Sequence, residues 1–266
     1  MKQKTINLIS TLLVSLGVVV QANATVVEFR TNIGDIQVNL YDEITPQTVS
    51  NFLEYVNAGA YANSVIHRSV DDFVVQGGGY VYNNELPLDA IAAGVAVENE
   101  PALSNVSGTI SMAKLANDPN SATSQWFFNV ADNSANLDVQ NGGFSVFGQV
   151  IGDGMSVLSA IQELPRYDMG GAANSIPLRN YSNDDASNEV EPTDEHLVII
   201  QDIVVIDDAS VTNPDLTPVE NTLIDQVNVP DSGNDNVDNG GGGSMGLGYL
   251  ALLLLLVNRK RFVVSS

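Results

Sequence analysis

From residue 25 to residue 206 the chain changes its hydrophobic period every few residues, and that constrains its fold more than any other feature. Val26-Val27-Glu28-Phe29 precedes a turn at Thr31-Asn32-Ile33-Gly34. Ile36, Val38 and Leu40 then alternate with Asp35, Gln37 and Asn39, the period-two pattern of a half-buried strand, so a hairpin opens the domain. Further strand-like pieces lie at Ser64 to Val70, Phe73 to Gln76, Gly108 to Ala113, Gln125 to Val130, Phe144 to Val150 and Leu197 to Ile206, divided by Asp, Asn, Gly and Pro clusters. Only two stretches carry a helical pattern. After Thr45-Pro46, an N-cap candidate with proline at the first helical position, Val49, Phe52, Leu53 and Val56 follow the i, i+3, i+4, i+7 spacing up to Gly59. Met155 to Leu164 places Met155, Leu158 and Ile161 on one side. Many short strands with two helices predict a mainly β fold, a closed antiparallel barrel capped at its ends. The polar stretch from Arg166 to Glu195 reads as a long loop, and there is no internal repeat.

The ends have a different character. Met1 to Ala24 carries Lys2 and Lys4, an apolar run from Leu8 to Val20, and Ala22-Asn23-Ala24, the pattern of a secretory signal peptide that leaves Thr25 as the first mature residue. The apolar run is shorter than the ~20 residues needed to span a bilayer. Residues 25–208 form the folded domain, and 209–239, rich in Asp, Asn, Pro and Val without a period, read as a flexible acidic linker. Residues 240–266 begin with Gly240 to Gly243 and Ser244, continue through a leucine-rich run from Leu247 to Val257, and meet a basic stop at Asn258-Arg259-Lys260-Arg261. The segment resembles the Gly-Gly carboxy-terminal sorting signals of Gram-negative secreted proteins, which implies a rhomboid-type protease as a partner beside signal peptidase. A plain tail anchor is the other reading. Either way the product is exported, to the periplasm, cell surface or medium, anchored transiently if the segment is cleaved and lastingly if it is retained.

Composition narrows the chemistry. Ten Lys and Arg stand against thirty-two Asp and Glu, a net charge of −22, which argues against nucleic acid as a partner. Five of the basic residues lie in the terminal signals, so the segment between them carries five against thirty-two. An apolar fraction of 44% provides for a core and argues against wholesale disorder. The absence of cysteine removes disulfides, thiolate nucleophiles and Cys-based metal sites, and with two histidines, His67 and His196, a His-rich metal site is not expected. Asn117-Asp118-Pro119-Asn120 lacks EF-hand spacing and reads as a loop. Gln76-Gly77-Gly78-Gly79 is a tight turn without the phosphate-loop pattern.

The informative stretches are Ile66-His67-Arg68, Phe73 to Gly79, Gly108-Thr109-Ile110-Ser111-Met112-Ala113, Ser124-Gln125-Trp126-Phe127-Phe128 and Phe144-Ser145-Val146-Phe147-Gly148. In this order and spacing, from about Val26 to Ile206, the chain resembles the cyclophilin family of peptidyl-prolyl cis-trans isomerases. Each motif alone would be weak; together they are specific. The resemblance implies a closed eight-stranded antiparallel barrel with two capping helices, no cofactor and no metal, and proline-containing unfolded or exported polypeptides as substrates. It places Arg68 on the catalytic arginine, and Phe73, Gln76, Ala113, Gln125, Phe127, Leu137 and Phe144 on the proline pocket and peptide groove. Strand alternation independently puts Gln125 and Phe127 on one face and Trp126 and Phe128 on the other. His67 then points away from Arg68 and reads as a hydrogen-bonded structural histidine.

Those residue types suit the reaction. The barrier to peptide C–N rotation is ~18–20 kcal/mol, and uncatalysed X-Pro exchange takes tens to hundreds of seconds. An enzyme must favour the twisted form, in which the nitrogen lone pair is free to accept a hydrogen bond. A permanently charged guanidinium serves that purpose, while Phe73, Phe127 and Leu137 hold the ring and Gln76 and Gln125 bond the peptide backbone. Four positions depart from the eukaryotic pattern of the family: Val74 for Met, Lys114 for Asn or Arg, Asn136 for Trp or Phe, and Phe144 for His or Tyr. Asn136 is the sharpest, since it removes an apolar wall and implies poor cyclosporin binding. None removes Arg68. The competing reading, a non-catalytic proline-peptide-binding chaperone or surface adhesin, has no need of a charge aimed at the prolyl nitrogen.

Overall fold

The computed structural model describes residues 25–208 and 216–227. The expected signal peptide and carboxy-terminal sorting segment lie outside the described residues. Among the described residues no helix is long and apolar enough to cross a membrane.

The opening hairpin is β1 (Val26–Thr31) and β2 (Asp35–Leu40), with Phe29 opposite Ile36 and Val27 opposite Val38. Helix α1 (Pro46–Asn57) buries Val49, Phe52, Tyr55 and Val56 on one face. Proline does occupy its first turn, but Thr45 makes no capping bond with its side chain. The free amides are instead capped from a distance: the Glu100 carboxylate accepts from Thr48 N at 2.8 Å and Gln47 N at 3.3 Å. A carboxylate at this end also opposes the helix dipole favourably.

The chain continues through β3 (Ser64–Val65), β4 (Arg68–Val70), β5 (Val74–Gly77), β6 (Tyr80–Val81), β7 (Asp89–Ala90), β8 (Thr109–Met112) and β9 (Trp126–Asn129). The short helix α2 (Ser134–Leu137) leads to β10 (Val146–Ile151) and then α3 (Gly154–Gln162), which buries Leu158 and Ile161. One curled sheet of eleven strands runs β4-β5-β9-β8-β10-β2-β1, then β13 (Ile199–Asp207), β3, β6 and β7. The count exceeds the expected eight because residues 64–70 divide at Ile66-His67 and two two-residue strands extend one edge. The division has a hydrogen-bonding reason: Ile66 N–H donates to Val198 O, while His67 N–H donates to Gln76 O. Successive amides therefore serve opposite ends of the sheet. The main core, built on Phe29, Phe52, Trp126, Phe128 and Phe147, lies between the sheet and α1 and α3.

The stretch read as a long polar loop is ordered structure. It contains β11 (Arg166–Tyr167) paired with β12 (Ile176–Pro177), and α4 (Asn183–Ser187), whose capping box joins Ser182 and Asp185 reciprocally. Ile176, Leu178 and Tyr181 form a second apolar cluster with Val65, Tyr82 and Leu197. These apolar residues are spaced too irregularly for a strand or helix period, which is why the stretch reads as loop. Part of the expected linker is also placed: residues 219–221 lie along residues 102–104, and α5 (Ile224–Val227) follows.

Candidate active site

Cross-strand register brings the site together. Arg68 on β4 pairs with Gln76 on β5, Gln76 pairs with Phe127 on β9, and Phe127 pairs with Ser111 on β8. Residues directly opposite one another share a face of a sheet, so Arg68, Gln76 and Phe127 point to one side. Gln125, two residues before Phe127, joins them there. Trp126 and Phe128 go to the other side, into the main core.

The polar row is continuous. Arg68 Nη1 donates to Gln76 Oε1 at 3.3 Å, and Gln76 Nε2 donates to Gln125 Oε1 at 3.1 Å. Among the described residues no carboxylate forms an ion pair with Arg68. Burial pushes its pKa down from the usual guanidinium range, the direction expected when a charge is partly removed from water. A guanidinium starts so high that it keeps its charge at neutral pH. The glycines after Gln76 make room for this arrangement: a Cβ at Gly79 would lie 2.7 Å from the Gln125 side chain, and one at Gly77 would lie 2.6 Å from the Trp126 ring. Gly78 has a φ of +73°, in the left-handed region that favours glycine.

Beside the row is a separate apolar cluster of Val74, Ala113, Phe127, Leu137 and Phe144, with Phe73 packed against it. Phe127 and Phe144 meet edge to face with ring centroids 5.7 Å apart. Ala113 is registered by its amide, which donates to Gln125 O. All eight residues singled out from the sequence thus fall in one region: Arg68, Gln76 and Gln125 in the polar row, Phe73, Ala113, Phe127, Leu137 and Phe144 in the cluster. Val74, noted in the sequence only as a departure from the family pattern, belongs with them, and its alternation with Gln76 along β5 could have placed it on this face.

Sequence patterning gives no sign of the polar scaffold beneath the cluster. Asp138, fully buried, accepts from Ser104 Oγ at 2.6 Å, Asn105 N at 2.7 Å and Asn105 Nδ2 at 3.0 Å. Asn105 Oδ1 accepts from Ser111 Oγ, and Asn129 Nδ2 donates to Thr109 Oγ1. Asn133 Nδ2 bonds both Asn129 Oδ1 and Phe73 O, at 2.8 and 2.9 Å. A network with its members satisfied fixes one arrangement of the side chains above it. These polar residues come from four separate stretches, and no local pattern links them.

The departures from the family pattern now have positions. Asn136 is exposed on α2. Lys114 is buried, its Nζ donating to Asn141 O and Gly143 O and lying 4.7 Å from the Phe144 ring centroid. Burial holds its pKa down to about 8. His67 is buried opposite Tyr80, with ring centroids 5.0 Å apart. Contrary to the expectation of a hydrogen-bonded histidine, neither ring nitrogen has a hydrogen-bond partner of good geometry. Burial lowers its pKa to about 4, only partly opposed by the Val65 backbone, and the ring is neutral.

Known proteins are similar to this sequence over part of its length. The model of the cyclophilin type peptidyl-prolyl cis-trans isomerase family matches residues 26–182. A peptidyl-prolyl cis-trans isomerase of Acinetobacter baylyi is 39% identical over 158 residues, 58% of this chain and 82% of that protein. Peptidyl-prolyl cis-trans isomerase B of Escherichia coli is 39% identical over 142 residues, 51% of this chain and 83% of that protein. In fold, the chain is similar to a crystal structure of a Cryptosporidium parvum cyclophilin type isomerase, at a TM-score of 0.50 and 23% identity, covering 70% of this chain and 99% of that one. With the matched residues carrying every strand of the curled sheet except β13, and every site position named above, the chain belongs to the cyclophilin family and is a peptidyl-prolyl cis-trans isomerase.

Proposed function

We propose that this enzyme accelerates X-Pro rotation in exported polypeptides, and that Arg68 lowers the barrier by donating to the prolyl nitrogen as the amide twists. The observation that carries the reading is a half-buried guanidinium, free of any carboxylate partner among the described residues, in the same region as an apolar cluster rich in aromatic side chains. In the planar amide the nitrogen lone pair is delocalised into the carbonyl and accepts poorly. In the twisted form it is localised and accepts from Arg68. The bond is gained only at the barrier, so it raises turnover rather than ground-state affinity. Gln76 keeps the guanidinium in place, which reduces the reorganisation needed as charge localises on nitrogen. No bond is broken and no proton leaves the protein.

The prolyl ring is held by Phe73, Phe127, Leu137 and Phe144, with Ala113 and Gln125 beside the flanking peptide. Closure of the curled sheet into the eight-stranded barrel of the family belongs to the same reading. The divided bonding of Ile66 and His67 supports it, since one chain segment serves both ends of the sheet. Export rests on the Met1 to Ala24 pattern, with signal peptidase and a rhomboid-type protease as processing partners.

Exchange NMR on an Ala-Pro peptide tests the mechanism. Wild type should broaden and merge the cis and trans resonances, and Arg68→Ala should leave them near their uncatalysed linewidths. Equal activity in the two proteins would remove Arg68 from the mechanism. Mass spectrometry of the product made in a Gram-negative host tests export: a chain beginning at Thr25 supports it, and a retained Met1 refutes it.

A further inference from the structure

The apolar cluster at the site has a back wall running from Leu137 to Phe144, and its two ends meet, because Phe144 N–H donates to Leu137 O at 2.9 Å. Between those ends the chain turns back through Asn141, Gly142 and Gly143, all at positive φ. Such a turn is weakly held by its own sequence, since Gly142 and Gly143 are the most flexible kind of backbone. Its carbonyls are gripped from elsewhere. Lys114 holds Asn141 O and Gly143 O, and Asn99 Nδ2 donates to Gly142 O at 2.7 Å and Gly143 O at 2.9 Å.

The remaining grip comes from a part of the chain beyond the last sheet strand. Residues 219–221 return to the domain and lie along residues 102–104: Ser104 N–H donates to Val219 O at 2.8 Å, Asn221 N–H donates to Ala102 O at 2.9 Å, and Glu220 bridges antiparallel to Leu103. Asn221 is buried. Its Nδ2 donates to Asp138 O at 2.9 Å, and its Oδ1 accepts from Leu223 N and Ile224 N, both at 3.1 Å. A Cβ added to Gly143 would lie 3.4 Å from that same Nδ2. The returning segment therefore bonds the residue after Leu137 directly. It also registers Ser104, whose hydroxyl holds the Asp138 carboxylate.

We propose that residues 219–224 are a strap that sets the back wall of the prolyl pocket, with Asn221 as its positioning residue. The proposal rests on the pocket assignment above and adds to it a contribution from outside the segment that matches the family, which ends at residue 182. Asn221 touches no substrate; it acts through Asp138 on Leu137 and Phe144. Its two functions separate by chemistry. Its amide nitrogen reaches the wall, while its oxygen only shapes the turn of the strap.

The test uses the full chain. Asn221→Ala removes both functions, and Asn221→Asp keeps the oxygen but loses the donor to Asp138 O. Both variants should raise KM for an Ala-Pro peptide about three- to tenfold, the range expected from one lost buried hydrogen bond, with kcat within about twofold of wild type. Thr222→Ala, on the exposed side of the strap, should change neither. The Leu137 methyl resonances should shift in both Asn221 variants and stay in place in Thr222→Ala. An unchanged KM in Asn221→Asp, or unmoved Leu137 methyls, would overturn the proposal. So would a rate loss that merely follows a loss of folded protein. The pocket assignment fails separately, if Phe127→Ala leaves KM unaltered.

Discussion

Two apolar regions of the domain differ in what surrounds them, and the proposed mechanism can use only one. The cluster of Val74, Ala113, Phe127, Leu137 and Phe144 sits beside a fixed guanidinium and above a buried polar network. The other is a cavity of about 720 Å³ lined by Tyr80, Leu86, Leu88, Met169, Ile176 and Leu178 among others, with no charged side chain in its lining. Apolar lining provides affinity by removing surface from water, and does so equally for the planar and twisted forms of an amide. Only a charge placed where the lone pair localises distinguishes them. On the proposed mechanism, what separates a surface that holds from one that turns over is a row of three polar side chains rather than a volume.

The strongest way to break the comparison is Arg68→Ala. It should lower kcat/KM about 10²- to 10³-fold, the scale of losing one preorganised donor, with little change in melting temperature. Near-normal turnover would make the two regions equivalent. A paired truncation sharpens the contrast. Phe127→Ala and Leu178→Ala should each cost about 2–5 kcal/mol of stability, because both side chains are fully buried. Measured per folded molecule, however, only Phe127→Ala should raise KM, and a similar rise in Leu178→Ala would show that the second cluster contributes to the pocket.

A pH titration separates the polar row from its neighbour on the same strand segment. His67 has a folded pKa near 4, below its ordinary value of 6.5, so the unfolded chain takes up the proton first. Its contribution is therefore complete above about pH 6.5, declines as pH falls toward 4, and levels off below. The total is about 3 kcal/mol. Chemical denaturation across that window should show this component in wild type and not in His67→Phe, whose ring suits the face opposite Tyr80. Coincident curves would mean that the buried imidazole is not held neutral. The smallest effect is expected at Met169, which is part-exposed at the mouth of the uncharged cavity. Met169→Ser should leave both kcat/KM and stability within error, and a loss of peptide turnover would give that cavity a part in substrate handling.

Legibility in the sequence followed the length of each pattern. The opening hairpin, α1 and the alternation of Gln125 and Phe127 against Trp126 and Phe128 are repeats of a single period, and each could be read locally. The site residues could be gathered only through family resemblance, because the register that unites Arg68, Gln76 and Phe127 joins three strands through hydrogen bonds that leave no periodic trace. What stayed hidden is held by single long-range polar contacts. Glu100 caps a helix some fifty residues earlier, Asp138 collects donors from Ser104 and Asn105, and Asn221 reaches back across the chain to Asp138. The 166–195 stretch was misread for a related reason: Ile176, Leu178 and Tyr181 bury themselves against Val65 and Leu197, partners distant in sequence.

The split bonding of Ile66 and His67 has a temporal consequence. One of the two amides answers to Val198, next to a strand that leaves the ribosome more than a hundred residues after Arg68. A nascent chain that has emerged only as far as Phe144 already contains every side chain of the pocket, yet it lacks the partner that fixes the backbone two residues ahead of the guanidinium. If Arg68 acts as proposed, catalysis therefore begins only once residues 197–207 have joined the sheet, so that an incompletely folded copy of this chain neither acts on its own prolines nor competes for those of its neighbours.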